Sequence, residues 1–277
     1  MKIISVQKIK NTVADLCIKA NFVLRGDVLG TLKSAYLRET NKRVKKILSA
    51  IIENARLARR NKMAICQDTG LPCVFIELGQ DLRISGDFKK AINQGVEEGY
   101  KKAYLRNSII KDPLSRGRSG YSPVIIHTDI VRGNKLKITV LPKGFGCENK
   151  TQLKMFNPTA GLGEVKKFIV EAVKSAGPDA CPPYVVGVGI GGTADYACML
   201  AKKALLRNLS AKHYTLYAKL AKDLLKEINQ LNIGPMGLGG KATCLAVNIV
   251  THPTHIAGLP VAVNISCHAL RSATKII

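Results

Sequence analysis

Four of the eight cysteines stand where a loop can present a thiolate to a metal. Cys66 (ICQDTGLP), Cys147 (GFGCENK), Cys181 (DACPPY) and Cys267 (NISCHALR) lie at the ends of predicted elements, beside Gly, Pro or polar residues. Thiolates bind zinc and iron–sulfur clusters, but none of these cysteines forms a C-x-x-C pair, so spacing disfavours a zinc ribbon or a ferredoxin-type cluster. A metal site assembled from distant loops and a set of incidental or zinc-binding thiols both remain open.

The other four cysteines, Cys17, Cys73, Cys198 and Cys244, lie in apolar or helical runs, where a small buried thiol is the expected role. Eight cysteines dispersed over 277 residues do not resemble a disulfide scaffold. We therefore expect reduced thiols and a cytoplasmic protein.

Two glycine-rich segments imitate nucleotide-binding motifs. Residues 187–192 (GVGIGG) fit the dinucleotide pattern between a predicted strand and a predicted helix, but residues 207–214 lack the acidic residue expected about 20 positions on. Gly240-Lys241 is not a P-loop, because Pro235 replaces the first glycine and Ala242 the magnesium-binding hydroxyl. These glycines predict close backbone approach, with no nicotinamide cofactor.

The charge is strongly positive: 43 Lys and Arg against 19 Asp and Glu give a net charge of +24. Such a charge is a first indication of a nucleic-acid partner. The basic residues are spread along the whole chain, however, and no basic strand interleaved with aromatic residues accompanies them. We expect no nucleic-acid partner, and we keep a basic non-catalytic α/β binding module, with its loop at 106–118, as the alternative from another class.

Length and hydropathy predict a folded, soluble chain. The 46% hydrophobic content supports a buried core, and 277 residues allow one large domain or two smaller ones. No window approaches the roughly 18 uninterrupted apolar residues of a membrane helix, so we expect no membrane partner.

Hydrophobic periodicity predicts alternating helices and strands. Helices are expected over 1–62, 88–104, 163–177 and 194–231. Strands are expected over the two ends of 63–79, directly before the glycines of 187–192, and over 242–250 and 258–266. Residues 106–123 are predicted to form a loop, and 123–131 and 135–142 a β-hairpin.

Four blocks then carry a resemblance: residues 65–70 (ICQDTG), 142–150 (PKGFGCENK), 186–193 (VGVGIGGT) and 255–264 (HIAGLPVAVN). Together, and in this order, they resemble the class I fumarase and tartrate dehydratase family, specifically the α subunit of the two-subunit form. The resemblance implies a mixed α+β fold with β-sheets surrounded by helices, in one domain over residues 1–277 on which a helical segment, 1–62, packs.

The resemblance implies a hydro-lyase that uses a [4Fe–4S] cluster held by Cys66, Cys181 and Cys267. Three thiolates leave one iron without a protein ligand, and that iron can act as a Lewis acid on the substrate. Cys147 occupies a position where the family often has Ser, so it is expected to be a neighbour of the cluster and not a ligand.

The resemblance also implies roles for six further residues. Asp68 is the expected acid/base, Gln67 a hydrogen-bonding partner of the substrate, and Arg106 a clamp on a substrate carboxylate. Gly144 and Gly146 would bring backbone N–H groups close to a carboxylate. His255 matches an active-site histidine that reaches the neighbouring protomer's site, and is preferred over His252 in the same turn.

One-chain members of the family continue into a second domain, whereas this chain stops ten residues after Cys267. We therefore expect a separate β subunit, an α₂β₂ assembly and an inactive isolated α chain. The expected substrate is a small dicarboxylate: fumarate and (S)-malate first, L-tartrate second, and another hydroxy diacid third.

Overall fold

The computed structural model describes residues 2–209 and 217–277 and confirms a mixture of helices and strands. The helices are α1 (Val6–Phe22), α2 (Gly26–Arg38), α3 (Lys42–Asn61), α4 (Phe88–Lys102), α5 (Phe145–Glu148), α6 (Leu162–Ala176), α7 (Ala194–Ala204) and α8 (Ala218–Gln230), with a 3₁₀-helix at Pro235–Gly237. The strands are β1 (Lys2–Ser5), β2 (Leu71–Gly79), β3 (Leu82–Ser85), β4 (Ile109–Asp112), β5 (Arg116–Gly120), β6 (Ile125–Val131), β7 (Leu136–Lys143), β8 (Gln152–Phe156), β9 (Tyr184–Gly192), β10 (Cys244–Thr254), β11 (Leu259–Ser266) and β12 (Ala273–Ile276).

The chain divides into two compact units. Unit 1 comprises Met1–Arg25, Ala55–Phe145 and Arg271–Ile277, and unit 2 comprises Gly26–Asn54 and Gly146–Leu270. Each unit has a hydrophobic core of its own. The single domain expected over residues 1–277 is not tested by this division and stays a prediction.

In unit 1, β2 is a central strand of a four-stranded sheet with the order β12-β7-β2-β6. It pairs antiparallel with β7 and parallel with β6, so the predicted hairpin of β6 and β7 is wrong. The physical reason is burial: β2 is mostly buried along its length, which suits a central strand, whereas β6 is largely exposed and lies at the edge. The turn at 132–134 therefore carries the chain past β2 and does not join neighbours.

Three further expectations for unit 1 need correction. Residues 63–70 form no strand, so the predicted strand-turn-strand reduces to a turn followed by β2. The predicted loop at 106–123 contains the antiparallel pair β4 and β5. The expected helical segment, 1–62, begins with β1, which pairs with β3; helix α1 starts only at Val6, where the Ser5 side chain accepts a hydrogen bond from the Lys8 N–H.

In unit 2, β9 is a central strand of a second four-stranded sheet, with the order β10-β9-β11-β8. The predicted strands at 242–250 and 258–266 are confirmed as β10 and β11, and β9 lies between them. Helices α7 and α8 confirm the two ends of the predicted helical region 194–231. Residues 205–209 form turns and not a helix, which corrects the prediction there, and residues 210–216 lie outside the described residues.

The glycines of GVGIGG lie inside β9, and not after it as a dinucleotide motif requires. A Cβ atom on Gly187 would collide with the Ala201 carbonyl oxygen of α7, and one on Gly189 with the Ala197 carbonyl oxygen. These glycines therefore allow α7 to pack closely on the sheet, which explains the motif without a nucleotide.

Among the described residues, no helix combines the length and the apolar character that crossing a bilayer requires.

We predict that Gly189→Ala destabilises the chain by about 1–3 kcal/mol, because the new methyl group overpacks the contact with α7. Urea unfolding followed by circular dichroism measures the change. The matched control is Gly30→Ala in α2, where an added Cβ meets nothing within 4 Å and helix propensity favours Ala by up to about 1 kcal/mol. Equal stability of the Gly189 variant and the wild type would contradict the packing argument.

Candidate active site

Residues 66–70, here called the 66–70 turn, connect α3 to the start of β2 and carry Cys66, Gln67 and Asp68. The Asp68 carboxylate is fixed by two backbone groups: Oδ1 accepts from the Gly70 N–H at 2.9 Å and Oδ2 accepts from the Phe145 N–H at 2.8 Å. A carboxylate has about four acceptor positions, so Asp68 retains capacity to take a proton. The turn thus presents a half-buried carboxylate in one defined orientation.

Gly70 shows why the turn needs its glycine. Its φ is +74°, in the left-handed region, and a Cβ there would lie 2.7 Å from the Pro142 carbonyl carbon. Any other residue would push the 66–70 turn away from the end of β7.

Thr69 ties the turn to the predicted substrate arginine. Its buried hydroxyl accepts from the Arg106 N–H at 3.1 Å and lies 3.3 Å from the Arg106 carbonyl oxygen, to which it donates. The buried Tyr100 hydroxyl donates to the Thr69 carbonyl oxygen at 2.7 Å. Sequence reasoning missed Thr69, and its only signal was a position inside a turn already selected for its polar residues.

Arg271 holds the turn from another direction, and sequence reasoning missed it as well. Its Nη2 donates to the Asp68 carbonyl oxygen, and the residue is only 3% exposed. Within the described residues, Nε and Nη1 have no hydrogen-bond partner. Its signal in the sequence was an arginine four positions after Cys267, in a segment that returns to a strand.

Unit 1 therefore contains five of the predicted site residues: Cys66, Gln67, Asp68, Arg106 and Gly144. Gln67 and Arg106 are exposed, Asp68 is half-buried, and a Cβ on Gly144 would stand 3.3 Å from Asp68 Oδ2. The N–H of Phe145, between the two predicted glycines, donates to the carboxylate of Asp68. The expected contact of Gly144 and Gly146 with a substrate carboxylate stays a prediction. Gly146, which belongs to unit 2, is exposed, and an added Cβ there meets nothing within 4 Å.

Unit 2 brings together the loops of two predicted cluster ligands. The Cys181 carbonyl oxygen accepts from the His268 N–H at 3.3 Å and lies 3.1 Å from His268 Nδ1, so the loop of Cys181 lies against the segment of Cys267. Cys181 has a φ of +55°, which is uncommon for a residue with a side chain. Both cysteines are half-buried.

Cys147 lies behind this loop. The residue is buried, and its thiol donates to the Ala180 carbonyl oxygen at 3.3 Å, directly before Cys181 in the chain. The next residue, Glu148, forms an ion pair of 2.5 Å with Lys202 and accepts at 3.0 Å from the buried Asn264 side chain. Cys147 therefore supports the loop that carries Cys181.

His255 is exposed in the turn between β10 and β11, and its Nδ1 accepts from the Ala257 N–H at 3.2 Å. This bond leaves Nε2 as the ring nitrogen that can bind another group. His252, in contrast, packs its ring edge-on against Tyr196 with a centroid distance of 4.7 Å. The ring of His252 is therefore packed against an aromatic ring, whereas the exposed ring of His255 is held by one hydrogen bond.

Comparison with known proteins identifies the family. The family profile described as "Fumarate hydratase (Fumerase)" matches residues 10–275. The chain belongs to this family. It is 41% identical over 277 residues, 97% of each chain, to the Methanocaldococcus jannaschii protein named "Putative L(+)-tartrate dehydratase subunit alpha". It is 32% identical over 278 residues, 99% of this chain and 92% of the relative, to the L(+)-tartrate dehydratase subunit alpha of Escherichia coli O157:H7.

Membership of the fumarate hydratase family confirms the resemblance and makes the chain part of a hydro-lyase. The same α-subunit name recurs in Escherichia coli K12, at 31% identity over 99% of this chain and 92% of the relative. The relatives' names therefore favour L-tartrate, which sequence reasoning placed second, over fumarate, which it placed first.

The donor chemistry of this fumarate hydratase family member fits a thiolate-bound cofactor, although the described residues contain no group of three or more His, Cys, Asp or Glu arranged around a metal position. All eight cysteines are thiols. Burial raises the pKa of Cys17 far above its usual range and that of Cys244 to about 12, and it also raises the pKa of Cys198. Buried thiols of that kind are poor ligands, whereas Cys66, Cys181 and Cys267 are all half-buried and lie outside helices and strands.

We predict that iodoacetamide at pH 8 modifies the half-buried cysteines of the metal-free chain well before Cys244. The sign follows from the pKa: at about 12, only about one Cys244 side chain in 10⁴ is a thiolate at pH 8. Timed labelling followed by peptide mass spectrometry measures the order, with urea-unfolded chain as the control in which all eight cysteines react. Early labelling of Cys244 in the folded chain would contradict its burial.

We predict that Thr69→Val lowers the free energy of unfolding by about 1–3 kcal/mol, because the Arg106 backbone groups lose their hydroxyl partner. Thr69→Ser keeps the hydroxyl and is the matched control, expected to remain within about 1 kcal/mol of the wild type. Urea unfolding measures both. A serine variant less stable than the valine variant would indicate that the methyl group, not the hydroxyl, holds the turn.

Proposed function

We propose that this chain is the α subunit of an L-tartrate dehydratase, which removes water from L-tartrate and releases oxaloacetate. The observation that carries the proposal is the similarity to tartrate dehydratase α subunits over almost the full length of both chains. Hydration of fumarate to (S)-malate is the second candidate, favoured by the description of the family profile.

The residues of unit 1 suit the binding of a dicarboxylate. Arg106 is exposed, and its planar guanidinium can bind a carboxylate through two parallel hydrogen bonds. The exposed Gln67 side chain can donate to a substrate hydroxyl or carboxylate. Gly144 leaves room beside Asp68 for the substrate to approach, because a side chain there would meet the Asp68 carboxylate.

Asp68 is the proposed proton acceptor. In the dehydration, Asp68 takes the proton from the carbon next to the departing hydroxyl, and the hydroxyl leaves as water with a proton from the solvent. The resulting enol rearranges to oxaloacetate, and Asp68 later returns its proton to the solvent, so that one water is lost overall. The bonds from the Gly70 and Phe145 N–H groups hold the Asp68 carboxylate in one orientation, and a fixed geometry of this kind is the main requirement for general base catalysis.

Cys66, Cys181 and Cys267 are the proposed ligands of a [4Fe–4S] cluster. When bound, such a cluster supplies an open iron that polarises the substrate hydroxyl as a Lewis acid. The chain's contribution is to hold the ligands: the bond from His268 to the Cys181 carbonyl oxygen fixes two of the three segments together.

A separate β subunit completes the proposed enzyme, as the α-subunit names of the relatives suggest. We propose an α₂β₂ assembly in which the exposed His255 contributes to the site of a neighbouring protomer. Eight cysteines that are all thiols favour a reducing compartment such as the cytoplasm.

We predict about four irons and four acid-labile sulfides per chain after purification without oxygen, and their loss in Cys181→Ala. The matched control is Cys198→Ala, which removes a half-buried cysteine that is not a proposed ligand and is expected to keep its iron. Iron and sulfide analysis with the visible spectrum measures both. A folded wild-type chain that accepts no iron on reconstitution would overturn the cluster.

We predict that the complex with the β subunit converts L-tartrate to oxaloacetate with a higher kcat/KM than it shows for malate or fumarate. L-Tartrate and malate differ by one hydroxyl, and a site that hydrogen-bonds a hydroxyl can reject the analogue lacking it by up to about 10⁴-fold. Trapping of oxaloacetate and the loss of fumarate absorbance measure the two reactions. A preference for fumarate would replace the tartrate assignment while leaving the hydro-lyase family intact.

A further inference from the structure

The 66–70 turn rests on a buried positive charge, the guanidinium of Arg271. Arg271 is 3% exposed, and its one hydrogen bond goes to the Asp68 carbonyl oxygen, which carries no formal charge. Nε and Nη1 have no partner in residues 2–209 and 217–277. A guanidinium stays protonated in proteins, so Arg271 keeps its positive charge although it is buried.

An uncompensated buried charge is among the most costly features a protein can carry. The carboxylate of Asp68, in the same turn, already accepts from two backbone N–H groups. Within the described residues, Arg271 therefore has no hydrogen bond to an anionic group, and an anion bound at the turn would stabilise its charge.

We propose that Arg271 is a positioning residue for anion binding at the 66–70 turn, an inference that rests on the proposed function. It fixes the turn through the Asp68 carbonyl oxygen, and its buried charge stabilises a negatively charged group at the turn. Two sources share this chemistry: a cofactor held by the Cys66 thiolate, and the carboxylates of the substrate. Because Arg271 is covered by protein, its charge acts across the turn and not by direct contact with the ligand.

The test compares Arg271→Met, which keeps the length of the side chain without its charge, with Arg271→Lys, which keeps the charge. Arg59→Met on α3 is the matched control, since it removes one exposed arginine and the same net charge. Each full-length chain is studied free of iron, after iron and sulfide reconstitution, and with added L-tartrate. Thermal unfolding and iron content are the primary measurements, and kcat and KM of the complex with the β subunit are the third.

For the wild type, Arg271→Lys and Arg59→Met, we expect iron loading, tartrate or both to raise the unfolding temperature, by roughly 5 °C at a ligand concentration about a hundredfold above its Kd. Arg271→Met should lose most of this rise, whatever the unfolding temperature of its ligand-free chain. Loss of the rise with iron identifies the cofactor as the anion, and loss of the rise with tartrate identifies the substrate. In the complex, we expect KM for L-tartrate to rise about tenfold or more.

Two results would overturn the inference: an Arg271→Met chain stabilised by iron and tartrate as much as the wild type, or a wild type stabilised by neither. A merely structural arginine would lower the unfolding temperature of the ligand-free variant and leave the ligand-induced rise unchanged. Failure of the proposed function looks different. A complex that does not dehydrate tartrate, but whose stabilisation by iron or tartrate depends on Arg271, would refute the tartrate reaction and keep the anion site.

Discussion

The hydrogen bond from the buried Arg271 to the Asp68 carbonyl oxygen is the constraint on which the candidate site of unit 1 depends. The 66–70 turn belongs to no helix or strand, so side chains must satisfy its backbone groups. Tyr100 binds the Thr69 carbonyl, and the Phe145 N–H binds the Asp68 carboxylate. A turn fixed from several directions can hold a reactive carboxylate in one orientation, which an exposed loop of the same sequence could not.

Sheet topology explains why these partners meet. Strand β2 begins directly after the turn, and β7, which runs antiparallel to it, ends at Lys143, opposite Leu71. Strand β12 runs antiparallel to β7 and begins two residues after Arg271. The start of β2, the end of β7 and the approach to β12 therefore lie toward one end of the sheet. The strand order β12-β7-β2-β6, in which β2 separates the two strands of the predicted hairpin, is thus also the order that brings the residues of the site together.

Local patterns predicted what local physics determines. Periodicity located α4, α6, β10 and β11 to within a few residues, because each has one face or one run that must be buried. Strand order was not predictable in the same way. The turn between β6 and β7 is visible in the sequence, but nothing near it indicates that β2, from much earlier in the chain, lies between these two strands. Residues such as Asp68 were found through the unusual polar turn around them. Thr69 and Arg271 were missed because their partners lie 37 and 203 positions away in sequence.

The net charge of +24 and the single buried charge of Arg271 act on ligands in different ways. Exposed lysines and arginines interact through water, and salt screens them beyond about 8–10 Å, so scattered surface charge attracts anions without selecting one. The ion pair of Lys101 with Glu97 is of this exposed kind and adds little to stability. A guanidinium covered by protein is neither hydrated nor screened to that extent. One buried arginine, placed by strand order beneath a fixed carbonyl, can therefore bias the turn toward an anionic ligand more specifically than the whole surface excess.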